Sequence, residues 1–228
     1  MPVLPGHPPV DIVLRRSPRT RRFSLRVSQL DGRVTLSIPQ RAREAEAMEF
    51  VRGQEDWLRG ILARRPAHRP VTMGDQIPVE GRLLTLTPGP GRSVKVDRDI
   101  LLLPGDPALA GKRVQAFLQT LARDRLAAAS DHYAAQIGRK VTRITLRDTR
   151  SRWGSCAHDG ALMYSWRLVM APPSVLTYVA AHEVAHMLQM NHSPAYWAVV
   201  DRLYPGWQTQ RKWLQTEGNR LHSFHFTA

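Results

Sequence analysis

The sequence HEVAHMLQMNH occupies residues 182–192 and holds three histidines and a glutamate at fixed spacing. On an α-helix, positions i and i+4 lie on the same face, so His182 and His186 can direct two imidazole nitrogens at one point. A zinc ion at that point would lie about 2 Å from each nitrogen. Glu183 lies beside this point, where its carboxylate can accept a proton from a zinc-bound water. The pattern predicts a catalytic zinc site.

A third ligand is available six residues after the second. His192 follows Asn191, a residue type that tolerates a left-handed helix end, so a chain that turns back there can bring His192 onto the same metal. Three protein ligands and one open position are typical of catalytic zinc rather than of closed structural sites. We therefore expect one Zn²⁺ per chain, held by His182, His186 and His192.

The residues before the motif favour a helix that carries it in its C-terminal half. Pro172 and Pro173 mark the start, because proline is favoured in the first helical turn. Apolar residues then recur at helical spacing, namely Val175, Tyr178, Val179, Val184 and Leu188. We expect a helix from about 173 to 190 that ends where Asn191 permits a turn.

Composition places the chain among globular proteins. It has 228 residues, of which 43% are hydrophobic, enough for one large domain or two small ones. It contains no run of 18 apolar residues, and its first residues lack the pattern of a signal peptide, so we expect no membrane association. Cys156 is the single cysteine, which excludes an internal disulfide and fits a cytoplasmic location.

The chain is strongly basic, with a formal net charge of +14. The densest cluster has six arginines and no acid between Arg15 and Arg26. Strand alternation predicts that Arg16, Arg22 and Arg26 share one exposed face, opposite Phe23 and Leu25. Such a surface attracts nucleic acid or nucleotides, although a plain solvated strand face explains the cluster equally well.

Turn and breaker residues divide the chain near Pro104-Gly105-Asp106-Pro107. Before this point we expect strands at 11–16 and 21–29, a hairpin turn at Asp31-Gly32, a helix over 42–64 and short strands over 75–103. After it we expect a helix over 108–137, strands over 141–147 and around Leu162, Tyr164 and Trp166, the zinc helix, a helix from Ser193 or Pro194, and a last helix from Pro205. The order predicts an α+β fold with two parts. Residues 1–105 form a small β-rich N-terminal part with one helix. It packs with a zincin-like helical catalytic domain that carries a short sheet, residues 106–228.

Three segments together resemble the YgjP-type metallopeptidase family, which has SprT-like and WLM proteases as relatives. They are SRWGSC at 151–156, WRL at 166–168 and HEVAHMLQMNHSPAYW at 182–197. The resemblance spans most of the chain and implies a zinc-dependent peptidase of largely uncharacterised substrate. Ser165 departs from the family pattern, which usually has Asn at this position beside the site.

Candidate substrate-binding residues precede the zinc helix, and they are Arg152, Trp153 and Tyr164. In zincin proteases an edge strand beside the active helix pairs with an extended substrate backbone, and the segment 151–166 is the candidate for it. Arg152 can stabilise an oxyanion or a phosphate or form a structural ion pair, and Trp153 fits a core position equally well. Tyr178 and Tyr196 are alternatives to Tyr164 as a phenol donor.

Other polar residues near the motif fit structural roles. Cys156 is typical of a small buried residue, and Ser193 and Pro194 fit a helix N-cap and first turn. His222 and His225 lie in the C-terminal tail, where we expect surface histidines.

Three functions are compatible with these residues. The leading one is a zinc metallopeptidase in which Glu183 activates a zinc-bound water. The second is a metal-dependent hydrolase of a nucleotide phosphoanhydride, which the basic surface would favour. The third is a nucleic-acid-associated protease of the SprT-like kind, for which the resemblance offers only an analogy.

Overall fold

The computed structural model describes residues 2–28, 32–63 and 70–226. The chain divides into two compact units, Met1–Ala67 and His68–Ala228. The sequence-based boundary at residues 105 and 106 falls inside the second unit, because the strands before it share a hydrophobic core with the helices after it. The predicted α+β class is confirmed, with six α-helices and three sheets in the described part of the chain.

The first unit combines one sheet with two helices. Its elements are β1 (Val3–Leu4), β2 (Val10–Ser17), β3 (Ser24–Val27), β4 (Val34–Pro39), α1 (Glu44–Arg52) and α2 (Glu55–Ala63). The strand order is β1-β2-β4-β3, and the antiparallel pairing of β3 with β4 confirms the predicted hairpin. Asp31 of its predicted turn lies outside the described residues. Ile12, Leu36 and Leu58 are fully buried in the core of this unit.

The predicted helix over 42–64 is two helices in the structure. Gly53 and Gln54 separate them, and the Gln54 N–H bonds to the carbonyl of Val51 at 3.0 Å. This i to i−3 hydrogen bond closes a tight turn in place of a further helical turn.

The prediction that Arg16, Arg22 and Arg26 share one strand face was wrong. Arg16 pairs in register with Ile38, whose side chain is fully buried, so Arg16 lies on the core side of the sheet at the exposed end of β2. Arg26 pairs with Thr35 and therefore lies on the opposite face. Arg22 precedes β3 and belongs to no strand, and all three side chains are exposed.

The second unit contains two small sheets and four helices among its described residues. Its strands are β5 (Gln76–Val79), β6 (Arg82–Pro88), β7 (Lys95–Asp97), β8 (Ile100–Leu103), β9 (Arg143–Arg147), β10 (Gly154–Cys156) and β11 (Ala161–Ser165). Its helices are α3 (Ala110–Gln136), α4 (Pro173–Ala185), α5 (Pro194–Leu203) and α6 (Gln208–Thr216). The sheets have the orders β5-β6-β8-β7 and β10-β11-β9, which leaves β10 at an edge.

The helix that carries the motif is buried on most of its surface and packs against α3, α5 and α6. It ends at Ala185 rather than near residue 190, because the next N–H groups bond three residues back, as Met187 does to Val184 at 2.9 Å. Asn191 is not left-handed, so the chain turns without the predicted helix end.

Two further elements differ from expectation. Trp166 begins a 3-10 turn instead of continuing a strand, and the last α-helix begins at Gln208 rather than at Pro205. No helix in the described ranges is long and apolar enough to cross a membrane.

Candidate metal centre

Three histidines converge at the C-terminal end of α4. His182 lies in its last turn, His186 at its cap, and His192 in the loop that leads to α5. The Nε2 atoms of His182 and His192 are 3.3 Å apart, and one ring nitrogen from each of the three lies within 4.8 Å of the others. The turn after α4 therefore brings together the residues that the sequence singled out.

The spacing of these nitrogens fits a metal ion. Tetrahedral zinc with Zn–N distances of about 2.1 Å places two ligand nitrogens about 3.4 Å apart. Two neutral imidazole lone pairs at 3.3 Å repel each other unless a proton or a cation lies between them. His186 directs Nε2 towards the site, because its Nδ1 lies 3.0 Å from the carbonyl oxygen of Gln189.

Burial holds His182 and His186 in the neutral form that binds metals. Burial, followed by the charges of His186 and His192, lowers the pKa of His182 to about 3. Burial likewise lowers the pKa of His186, against the opposing effect of its bond to Gln189. Metal binding at neutral pH therefore needs no proton release from these two rings.

Two aromatic residues of α5 fix the histidine rings. The Tyr196 hydroxyl donates to the His182 carbonyl at 3.0 Å, and its ring stacks on His186 with centroids 4.4 Å apart. Trp197 stacks on His192 with centroids 5.7 Å apart. Tyr196 is fully buried and so is a positioning residue, while the sequence analysis missed Trp197. The sequence signal for Trp197 was its position directly after Tyr196, in the first turn of a helix that begins with a proline.

The start of α5 follows the sequence prediction. The Ser193 hydroxyl accepts a hydrogen bond from the Tyr196 N–H at 3.3 Å, and Pro194 occupies the first turn. This cap orients the helix whose aromatic residues contact the histidines.

Glu183 projects from α4 towards the edge strand β10. Its side chain is 5% exposed, and a Cβ atom on Gly154 would lie 2.5 Å from its Oε1. Burial raises the pKa of Glu183 to about 8, and the charge of Arg152 opposes this shift. A cation bound at the histidines would also lower the pKa of Glu183, as the charge of Arg152 does. A carboxyl group with a pKa near neutrality is suited to proton transfer.

A cleft of about 630 Å³ opens at the histidines, and β10 lines one side of it. The backbone N–H of Ser165 donates to the Trp153 carbonyl at 2.8 Å, and the backbone N–H of Ala157 donates to the Ala161 carbonyl at 2.9 Å. An antiparallel ladder alternates, so the N–H and C=O groups of Gly154 point away from β11, as do those of Cys156. Among the residues that the structure describes, no strand pairs with this edge of β10.

Comparison with known proteins identifies the family. A family model described as YgjP-like, metallopeptidase domain, matches residues 21–217. The chain belongs to the YgjP-like family. The matched residues include the histidine cluster, Glu183 and β10, so the chain carries a metallopeptidase domain with a cluster compatible with a metal ion.

Other comparisons add little to the YgjP-like assignment. The crystal structure of the metallopeptidase zymogen abylysin of Pyrococcus abyssi is similar, with 16% identity and a TM-score of 0.36. The similarity covers 40% of this chain and 95% of that one. None of the curated proteins compared with the chain matches it in sequence.

The YgjP-like cleft contains some of the residues expected to contact substrate. Arg152 and Trp153 line it, and Trp153 also packs on His222 with ring centroids 5.1 Å apart. Tyr164 does not line it, because the side chain is fully buried and its hydroxyl contacts that of Ser130 at 3.0 Å. The substrate contact that we expected of Tyr164 does not fit this buried position.

Residues around the cleft differ from one another in accessibility. Ser165 is fully buried. His222 is 6% exposed, so the expectation of a surface histidine was wrong. Tyr178 lines the cleft. Cys156 also lines it, but burial raises the pKa of its thiol to about 11, which keeps it protonated at neutral pH.

Proposed function

We propose that this YgjP-like chain is a zinc-dependent peptidase in which His182, His186 and His192 hold the metal. The observation that carries the proposal is the convergence of three imidazoles, with two Nε2 atoms 3.3 Å apart, at a cleft lined by the edge strand β10. When bound, zinc polarises a carbonyl group and acidifies a water molecule.

Glu183 acts as the general base in this proposal. Its carboxylate accepts a proton from the attacking water, and the carboxylic acid then donates that proton to the leaving amine nitrogen. Burial supports the first step, because a raised pKa makes the carboxylate a better proton acceptor than an exposed one. Gly154 leaves space beside the carboxylate, since any side chain there would collide with Glu183.

The edge of β10 binds the substrate backbone in this proposal. An extended peptide adds to the sheet through the N–H and C=O groups of Gly154 and Cys156. Backbone pairing of this kind gives affinity without strong preference for side chains. The single cysteine supports a cytoplasmic location.

The test compares Glu183→Gln with the wild type on an unstructured protein substrate and on a nucleoside triphosphate. We expect wild type to cleave peptide bonds, and Glu183→Gln to lose roughly 10²- to 10⁴-fold in kcat/KM with unchanged zinc content. Glu46→Gln removes an exposed acid elsewhere and serves as the matched control. Activity of Glu183→Gln within a few-fold of wild type would overturn the base assignment. Cleavage of the triphosphate alone would overturn the peptidase.

A further inference from the structure

Arg211 of α6 lines the same cleft as His182 and Glu183. Its guanidinium carbon lies 5.0 Å from the ring centroid of Trp197 and 5.7 Å from that of Trp207. The two indoles are stacked on each other, with centroids 4.3 Å apart and planes 17° apart. Because Trp197 also stacks on His192, one indole ring separates this cation from the metal centre.

The guanidinium of Arg211 has free donors. Its side chain is exposed, and no carboxylate or carbonyl in the described ranges accepts a hydrogen bond from it. Arg167 provides the contrast, since it lies 4.6 Å from the Trp166 ring but bonds to both carboxylate oxygens of Asp148 and to two backbone carbonyls. The guanidinium of Arg167 thus combines aromatic contact with four hydrogen bonds, whereas among the described residues the five N–H donors of Arg211 remain available.

The charge of the cleft favours an anionic ligand. Two arginines, Arg152 and Arg211, line it, and among its described lining residues Glu183 is the single acid. Glu183 is buried, so it leaves the outer part of the cleft positive. The planar guanidinium matches a carboxylate through two parallel hydrogen bonds, and the two indoles restrict the side chain before a ligand binds.

We propose that Arg211 is a specificity-determining residue that binds a carboxylate of the substrate peptide. The carboxylate is either an acidic side chain or the free C-terminus, and both present the same chemistry to the guanidinium. The proposal rests on the proposed peptidase function, because it takes a peptide as the ligand of the cleft.

The test measures binding of three peptides of equal length to zinc-loaded protein that also carries Glu183→Gln, which prevents cleavage. One peptide has an internal Glu and an amidated C-terminus, one has Gln and a free C-terminus, and one has Gln and an amide. We expect one of the two carboxylate peptides to bind roughly tenfold more tightly than the neutral peptide, and the peptide that does so identifies the source. Arg211→Gln should remove the difference, and Arg211→Lys should retain part of it, since the charge stays and the planar fork is lost. Lys212→Gln, which changes the next residue outside the cleft lining, should keep the difference.

Equal binding of all three peptides, or a preference that survives Arg211→Gln, would overturn the proposal. Hydrolysis assays on protein with Glu183 intact distinguish a failure of the Arg211 proposal from a failure of the peptidase proposal. Lys212→Gln should cleave the neutral peptide with a kcat/KM within about twofold of wild type, because residue 212 does not line the cleft. Carboxylate-dependent binding without any cleavage would contradict the peptidase and support the Arg211 site. Cleavage of all three peptides at equal rates would support the peptidase and contradict the Arg211 site.

Discussion

Gly154 is the residue at which the edge strand approaches the proposed base most closely. A methyl group there would lie 2.5 Å from Oε1 of Glu183, well inside contact distance, so Gly154→Ala must displace the carboxylate or the strand. We expect kcat/KM on a peptide to fall roughly 10- to 100-fold, since small misplacements of reacting groups have effects of this size. Zinc content should not change, because the three atoms nearest to the new methyl all belong to Glu183.

The matched control is Gly53→Ala in the turn between α1 and α2, where the nearest atom to a new Cβ is 3.6 Å away. This variant should retain full activity. Wild-type activity in Gly154→Ala would contradict the placement of Glu183 against the strand. Loss of zinc would contradict the view that only the base is displaced.

At the residue scale, local spacing predicted some of the site and long-range contacts determined the rest. His182 and His186 were predictable because the i, i+4 spacing fixes their shared helix face. The sequence did not reveal that Tyr164 is buried, because its partner, Ser130, lies 34 positions away on α3. Arg211 was missed for a related reason, since its contacts with Trp197 join two helices and no local pattern records them.

The C-terminal 3-10 turn, Gly218–His222, should make stability depend on pH. Burial, aided by the charge of Arg167, lowers the pKa of His222 from 6.5 to about 4. Between these values the unfolded chain binds a proton that the folded chain does not. The contribution to stability is therefore complete above pH 6.5 and is lost as the pH falls towards 4.

Thermal unfolding of metal-free wild type and His222→Phe, from pH 7 to pH 4.5, measures this effect. Because phenylalanine does not titrate, the Tm of wild type should fall by several degrees more than the Tm of the variant. Parallel Tm curves for the two proteins would show that His222 is not held neutral by the fold.

At the element scale, the sequence predicted which segments are helical better than where they end. The apolar spacing over 42–64 hides a break, because Gly53 and Gln54 close a turn that the periodicity does not register. The end of α4 was also misjudged. Hydrogen bonds to residues three positions back tighten the chain after Ala185, so the turn does not need a left-handed Asn191.

The net charge of +14 belongs to the whole molecule, and we expect it to make the protein bind polyanions in a salt-dependent way. Each phosphate contact contributes about −0.9 to the slope of log K against log salt on duplex DNA. Replacing Arg16, Arg22 and Arg26 together by Ser should lower DNA affinity and make this slope shallower, even though the three do not share one strand face.

A variant with Ser at Arg98, Arg123 and Arg202, all exposed and outside the N-terminal cluster, has the same change in charge and is the control. If both triple variants lose equal affinity, the cluster has no special role. If the N-terminal variant binds DNA as wild type does, the polyanion surface lies elsewhere or does not exist.

The domain boundary also belongs to this scale. Proline and glycine at 104–107 suggested a division there, yet Leu101 and Leu103 share a core with α3. Local breaker residues report a turn, whereas a boundary between compact units depends on contacts that a single sequence does not display.

The central claim is that three histidines of this chain hold a catalytic zinc ion. X-ray absorption at the zinc edge, on purified protein with one equivalent of zinc, measures the ligands directly. We expect three imidazole nitrogens at about 2.0 to 2.1 Å and one oxygen ligand, with one imidazole lost in His192→Ala. A sulfur ligand at about 2.3 Å, or a spectrum that His192→Ala leaves unchanged, would contradict the account.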